Sequence, residues 1–396
     1  MSVAVETTPI GSRDVNLANW RVAPFSKWAF QHVRDLIPTA DIAHAPGQIW
    51  RLEVAPRSLA AFRAPTLEGE RVDLEAFLTA TATDALVILS EGKIVYEYYA
   101  DRATAHTPHI IMSATKSVMG LLVGILARAG AIELDAPVSS YVPEVANGPY
   151  AGATLRHLTD MRTGVFLEEA EQGAYDAATG WEPTTGDAQS PSLHGFLSLL
   201  EGSGRPHGGP FAYYSANTDL LGWALERATG KSCAAMLSEL LWQPLGAEAD
   251  AYITTDGKGA ARCTGGLCAT ARDFARIGQL LVGHGRRSER EIVPASWIDD
   301  IAQGGDRQAW RDGAWGELFA PISRNMSYRS GWYTIDDEPQ TLFATGIHGQ
   351  QLFVDRRNQL VVAKVSCWPD PTGMPPFVLT QFAFREIRRI LTEGAR

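Results

Sequence analysis

Apolar strand patterns near both ends of the chain, with helical patterns between them, predict an α+β protein. Leu86-Val87-Ile88-Leu89 and Ile94 through Tyr99 flank Ser90-Glu91-Gly92-Lys93, which reads as a β-hairpin over 85–100. Far along the chain four more strand signals follow: Tyr328–Thr334, Leu342–Thr345, Leu352–Asp355 and Leu360–Ser366, the last two joined by a turn around Arg356–Asn358. The expected architecture is one antiparallel sheet built from both chain ends and flanked by helices, an α/β sandwich with an all-α insertion. Residues 1–150 and 251–396 are assigned to the sheet domain, and 151–250 to the mainly helical insertion.

The elements follow in order. Residues 1–70, rich in Pro, Ala and Trp, are expected to wrap irregularly, with a short helix near Phe25–Leu36. From Ala114 to Ala129, Val118, Leu121, Leu122, Ile125 and Leu126 recur at helical spacing, and Gly130 supplies a stop. Thr154–Met161, Leu193–Glu201 and Thr218–Thr229 read as helices, and 164–192 as a long irregular stretch. Long loops inside compact domains usually serve function, so that stretch is the candidate substrate lid. Ala269–Val282 is read as a helix with Asp273 and Arg276 on its polar side, and Phe377–Leu391 as a closing amphipathic helix.

Composition narrows the function classes. A chain of 396 residues can bury a large core. A net charge of −10 without any Lys/Arg cluster argues against a nucleic-acid or anionic-membrane surface. Met1–Trp20 lacks the charged and apolar regions of a secretory signal, and no run of about 18 apolar residues suggests a membrane span. The four cysteines form no CxxC pair and the nine histidines no HExxH, so no metal and no cofactor are expected. Reduced thiols in a cytoplasmic protein are the default, and a homodimer is left open.

The chemistry centres on Ser113-Ala114-Thr115-Lys116. Residues i and i+3 share a helix face, so the Ser113 hydroxyl and the Lys116 amine can point into one space. A helix N-terminus offers free N–H groups to a developing oxyanion. A lysine in a dry cleft can lose its proton near neutral pH and deprotonate the serine. The spacing alone is cheap, because Ser90–Lys93 and Thr255–Lys258 repeat it within turns. What distinguishes Lys116 is its place one turn into a nearly all-apolar helix. A partner for the lysine is offered by Phe211-Ala212-Tyr213-Tyr214-Ser215-Ala216-Asn217, whose Tyr213, with its pKa lowered by an ammonium, could act as acid/base. Thr345-Gly346-Ile347-His348-Gly349-Gln350 leads into a strand, where glycines permit close approach and a backbone N–H could complete an oxyanion hole. His348 is kept there only as a residue lining the site. No G-x-S-x-G elbow occurs, which weakens a Ser-His-Asp reading.

Ser113-x-x-Lys116, Tyr213-x-Ser215 and Gly346–Gly349 stand in the order and separations of the serine β-lactamase and penicillin-binding protein superfamily. Leu134–Glu144 and Thr154–Gly164 look like its connecting signatures. Within it, Ser215-Ala216-Asn217-Thr218-Asp219, Thr270-Ala271-Arg272-Asp273, Gly346–Gln350 and Ser366–Pro371 resemble the 6-aminohexanoate-dimer hydrolases and their carboxylesterase relatives, over roughly residues 20–395. The resemblance implies a β-lactamase/transpeptidase-like fold, Ser113 as acylated nucleophile, Lys116 as base and Tyr213 as acid/base partner. It also implies Ser215 near the lysine and an oxyanion hole from the N–H groups of Ser113 and Ile347. Asp176 matches a carboxylate that meets the substrate's amino end, and Trp181 a residue on a mobile loop over the site. The chain departs from the family at Glu171, Thr264 and Phe377, where that pattern has tyrosine, asparagine and histidine.

The expectation is thus a serine hydrolase forming an acyl-enzyme on small esters or linear amides. The alternatives are a β-lactamase or D-amino-acid/cell-wall peptidase, disfavoured by the absence of Lys-Thr-Gly at the third motif, and a catalytically silent binding protein on the same fold.

Overall fold

Seven antiparallel strands form the central sheet of the computed structural model, which describes residues 11–183, 192–201, 204–337 and 340–393. In chain order they are β1 (Thr83–Ser90), β2 (Lys93–Tyr99), β3 (Met326–Arg329), β4 (Trp332–Ile335), β5 (Thr341–Gly346), β6 (Gln350–Asp355) and β7 (Leu360–Ser366). Their spatial order is β3-β4-β5-β6-β7-β1-β2, so β7 pairs with β1 and joins the two ends of the chain. Alternation along β1 explains its continuous apolar run. Val87 and Leu89 face one core cluster while Leu86 and Ile88 face the other.

The helices α1 (Thr115–Arg128), α2 (Glu169–Ala178), α3 (Ala216–Thr229), α4 (Ala271–Val282) and α5 (Met374–Glu393) complete the frame. α1 and α4 cover the first face through Val118, Leu121, Phe274 and Ile277, and α5 covers the second through Val378, Phe384 and Ile387. Each such side chain contributes roughly 1.5–3 kcal/mol on burial. Leu155, Tyr175, Leu193 and Leu220 of the helical insertion belong to the same cluster as α1. A smaller antiparallel sheet, in the order Thr39–Ile42, Ala251–Thr254, Leu267–Thr270 and Pro108–Ile110, was not foreseen. It delivers the chain to Ser113 on one side and to the 255–266 loop on the other.

Several expectations need correction. The irregular stretch 164–192 contains α2, whose start is closed by a capping box between Glu168 and Glu171. Only Tyr175 and Ala178 of that helix are buried, so its apolar periodicity is faint. Residues 184–191 of the candidate lid lie outside the described residues. Tyr328–Thr334 is not one strand but the β3–β4 hairpin, turned by Ser330 and Gly331, both at positive φ. Asp273 and Arg276 are not on a solvated face. Both are buried, paired at 2.9 Å, and tie α4 to Glu248 through Arg276 at 2.7 Å. The expected helix at Phe25–Leu36 is two short turns, Ser26–Ala29 and Val33–Asp35. Helices at Ala295–Gln303, Arg307–Asp312 and Ala314–Leu318 were not foreseen. The four cysteines are buried and free. Among the described residues no helix is long and apolar enough to cross a membrane.

The β3–β4 turn is clamped onto α1. Trp332 Nε1–H donates to the Ser117 carbonyl at 3.0 Å, and the Ser117 hydroxyl donates to Gly331 O. Gly120 makes this contact sterically feasible, since a Cβ there would lie 1.8 Å from Ser330 O. Gly120→Ala should therefore cost ~1–3 kcal/mol by overpacking. Urea unfolding should show a lower midpoint, and an unchanged midpoint would contradict the close contact.

Candidate active site

Ser113 sits in a single 3₁₀ turn, Met112–Ala114, that runs directly into α1. The turn begins at Met112, a buried residue held at φ +46°, a conformation that costs of order 1–3 kcal/mol and persists where packing enforces it. β5 then presses its end against this turn. Gly346 leaves no room for a side chain, because a Cβ would lie 2.6 Å from Ile111 O and 2.9 Å from Ser113 N. Ser113 N thereby lies close to Gly346, the residue before Ile347, so the two backbone N–H groups proposed for an oxyanion hole come from neighbouring segments.

Lys116 follows on the first turn of α1, and its side chain is buried. Its Nζ lies 3.0 Å from Ser113 Oγ and donates to the Thr264 carbonyl at 2.8 Å. Burial is the main influence on the amine; Arg262 adds to it and Asp219 opposes it. Together they hold its pKa well below the ordinary lysine value. A neutral amine has a lone pair for the Ser113 proton while an N–H anchors it to Thr264. Tyr213 completes the group: Nζ stands 4.7 Å from its ring centroid, and its hydroxyl interacts with the Ser113 side chain. The expected direction for Tyr213 is reversed. Burial pushes its pKa up and outweighs the lowering by the Ser113 hydrogen bond and the Arg262 cation, so it is a phenol with a proton to give.

The carbonyl that holds Lys116 is itself held. Thr264 N–H donates to Asp219 Oδ1 at 3.0 Å, and Asp219 is buried against Arg262 and the Tyr175 hydroxyl. Sequence reasoning missed this pair. Asp219 lay within a quoted motif, but nothing in the sequence tied it to an arginine 43 residues away.

Two clefts meet at Ser113 and Ile347. One, of about 170 Å³, is polar and lined by Arg21, Asp176, Trp181, Glu182, Ser215, Arg262 and Thr264. The other, of about 290 Å³, is lined by Tyr213, Trp315, Phe319, Tyr333, Trp368, Met374 and Phe377 among others, with no charged side chain. Ser113, Lys116, Tyr213, Ser215, Thr264, Ile347, Asp176, Trp181 and Phe377 are thus assembled around one centre. Two predicted residues are not. Glu171 caps α2, where its carboxylate accepts the Glu168 N–H at 2.8 Å, and it lines neither cleft. His348 is buried behind the site, its Nδ1 2.7 Å from the Trp368 carbonyl and its pKa lowered by burial. Trp181 stands in the wall of the polar cleft, where its Nε1–H donates to Thr254 Oγ1 at 3.0 Å. Arg21 and Trp315, which the sequence did not flag, come from the N-terminal wrap and from the short helix Ala314–Leu318.

The Beta-lactamase family model matches residues 73–376. The chain belongs to that family. It is 35% identical over 361 residues to the 6-aminohexanoate-dimer hydrolase of Paenarthrobacter ureafaciens, covering 90% of this chain and 88% of the relative. It is 29% identical over 191 residues to Esterase EstB of Burkholderia gladioli, across 43% of this chain and 47% of that one. A Bacillus anthracis structure assigned as a 6-aminohexanoate-dimer hydrolase superposes with a TM-score of 0.87 at 28% identity, covering 98% and 99% of the two chains. The fold is the expected β-lactamase/transpeptidase-like one, and the chain is a 6-aminohexanoate-dimer hydrolase-like hydrolase of this superfamily.

The Lys116 environment sets a pH dependence. Below its depressed pKa the amine is an ammonium and cannot accept the Ser113 proton. Acylation should therefore fall as pH drops through that depressed value and level off above it, at a lower pH than an ordinary lysine would allow. Lys116→Met should remove that limb and lower the rate by on the order of 10²–10⁴-fold. A stopped-flow pH profile checks this, and a wild-type rate in the variant would contradict it.

Proposed function

We propose that the chain is a serine hydrolase that forms an acyl-enzyme at Ser113 from small esters, and more slowly from linear amides. The observation that carries this reading is the buried Lys116 amine, held between Ser113 Oγ and Thr264 O. In the proposed sequence Lys116 takes the Ser113 proton as Oγ attacks the carbonyl carbon. The tetrahedral oxyanion lies against the N–H groups of Ser113 and Ile347. The bond to the leaving group breaks as the Tyr213 phenol protonates it, and the Lys116 ammonium restores the tyrosine proton. Water then enters by the reverse route and releases the acid.

Features of the polar cleft support its use for the acyl end of the substrate. Arg21 pairs with Glu182 and Arg262 with Asp219, which leaves Asp176 as the cleft carboxylate without an ion pair among the described residues. Thr264 Oγ1 and Arg262 Nε, both buried in that wall, have no hydrogen-bond partner in the protein. Buried polar atoms without partners are costly; a substrate amine could donate to Thr264 Oγ1, while the Arg262 Nε–H calls for an acceptor such as a carbonyl oxygen on the acyl group. Esters come first because an alkoxide needs less help from Tyr213 than an amine does. The relatives' printed activities, a 6-aminohexanoate-dimer hydrolase and an esterase, fall on both sides of that choice.

The test is a turnover panel of p-nitrophenyl acetate and butyrate, nitrocefin and the linear 6-aminohexanoate dimer, each run beside Ser113→Ala. Ester turnover should be present and should fall by on the order of 10³-fold or more in the variant. Appreciable turnover by a folded Ser113→Ala protein would overturn the nucleophile assignment.

A further inference from the structure

We infer that the leaving group is uncharged and apolar, an aryl or medium-length alkyl alcohol, and that it occupies the aromatic cleft. This rests on the acyl-enzyme reading above and adds which side of the scissile bond each cleft takes. A general acid must reach the leaving atom within hydrogen-bond range. Tyr213 lines the aromatic cleft and not the polar one, while Ser113 and Ile347 line both; a third cleft that Tyr213 shares with Arg205 and Asp312 reaches neither Ser113 nor Ile347. A carbonyl centred between Ser113 and Ile347 therefore directs its leaving oxygen toward Tyr213 and the group behind it into the aromatic cleft. When the C–O bond breaks, the alkoxide oxygen takes the Tyr213 proton and departs as a neutral alcohol through an apolar channel.

The cleft is built for such a group. Trp315 stacks on Tyr213 with ring centroids 4.4 Å apart and on Phe319 at 5.3 Å. Phe377 meets Phe319 edge to face at 5.2 Å, at the position where the family pattern has histidine. No Lys or Arg lines the cleft to pair with a carboxylate. A leaving group ending in a carboxylate, such as 6-aminohexanoate, would bring an unpaired charge against these rings and lose favourable solvation. Its volume of about 290 Å³ sits at the lower end of small-molecule sites, enough for a six-carbon chain or a single ring.

The test compares kcat/KM for methyl acetate, hexyl acetate and 6-acetoxyhexanoate, with Ser113→Ala as control. The last two share acyl group, chain length and leaving-oxygen chemistry and differ by a terminal carboxylate. Hexyl acetate should exceed both of the others by on the order of tenfold or more. Leu318→Arg, at an exposed rim position of the same cleft, should raise 6-acetoxyhexanoate relative to hexyl acetate by about tenfold, one charge-assisted contact. Equal rates for hexyl acetate and 6-acetoxyhexanoate, with no response of their ratio to Leu318→Arg, would overturn the inference while leaving the acyl-enzyme intact. Ester turnover unaffected by Ser113→Ala would instead overturn the acyl-enzyme reading, and this inference with it.

Discussion

A single amine kept out of water governs the arrangement of this site. Lys116 is buried on the first turn of α1 with Ser113 Oγ at 3.0 Å and the Thr264 carbonyl at 2.8 Å. An ammonium in that position would lose most of its hydration, which holds the amine's pKa well below the ordinary lysine value and favours the neutral form. Much of the surrounding structure keeps those two contacts in register. The Asp219–Arg262 pair fixes Thr264, and the β3–β4 turn fixes α1. Gly346 lets β5 reach the nucleophile turn. The buried ion pair is better understood as positioning than as net stabilisation, since such pairs often fail to repay their desolvation.

In the proposed reaction the two clefts would translate that chemistry into selectivity. Their common edge is Ser113 and Ile347, and their walls differ in kind. One wall contains arginines, carboxylates and buried polar atoms without partners; the other is a continuous stack of rings from Tyr213 through Trp315 and Phe319 to Tyr333. A substrate polar at one end and apolar at the other would fit without burying a charge against the wrong wall. Family membership alone could not supply this, because the fold hosts hydrolases of differing specificity and the walls come from less regular parts of the chain.

What could be read from the sequence follows from how local each signal was. The hairpin at 85–100 and the strands from Leu342 to Ser366 were legible because both faces of the sheet are covered and their apolar runs are continuous. The β3–β4 hairpin was hidden because its turn is only the two residues Ser330 and Gly331, too short to interrupt a strand-like segment. α2 was hidden because it buries only Tyr175 and Ala178. At the site, Ser113, Lys116 and Tyr213 were found because motif spacing brought them together. Glu171 was misplaced because a glutamate at the third position of a helix serves the helix first. Arg21, Arg262 and Trp315 carried no motif. They reach the site through long-range packing that no window of sequence contains.

The central claim is that Ser113 becomes covalently acylated because Lys116 is neutral. The most direct measurement is intact-protein mass spectrometry, with peptide mapping, of enzyme quenched during turnover of p-nitrophenyl butyrate. The account predicts one butyryl group per chain, located on the peptide containing Ser113, forming at neutral pH and diminishing as the pH is lowered. An adduct on another residue, or turnover in which no adduct accumulates even when a rapid burst of nitrophenol is seen, would contradict it.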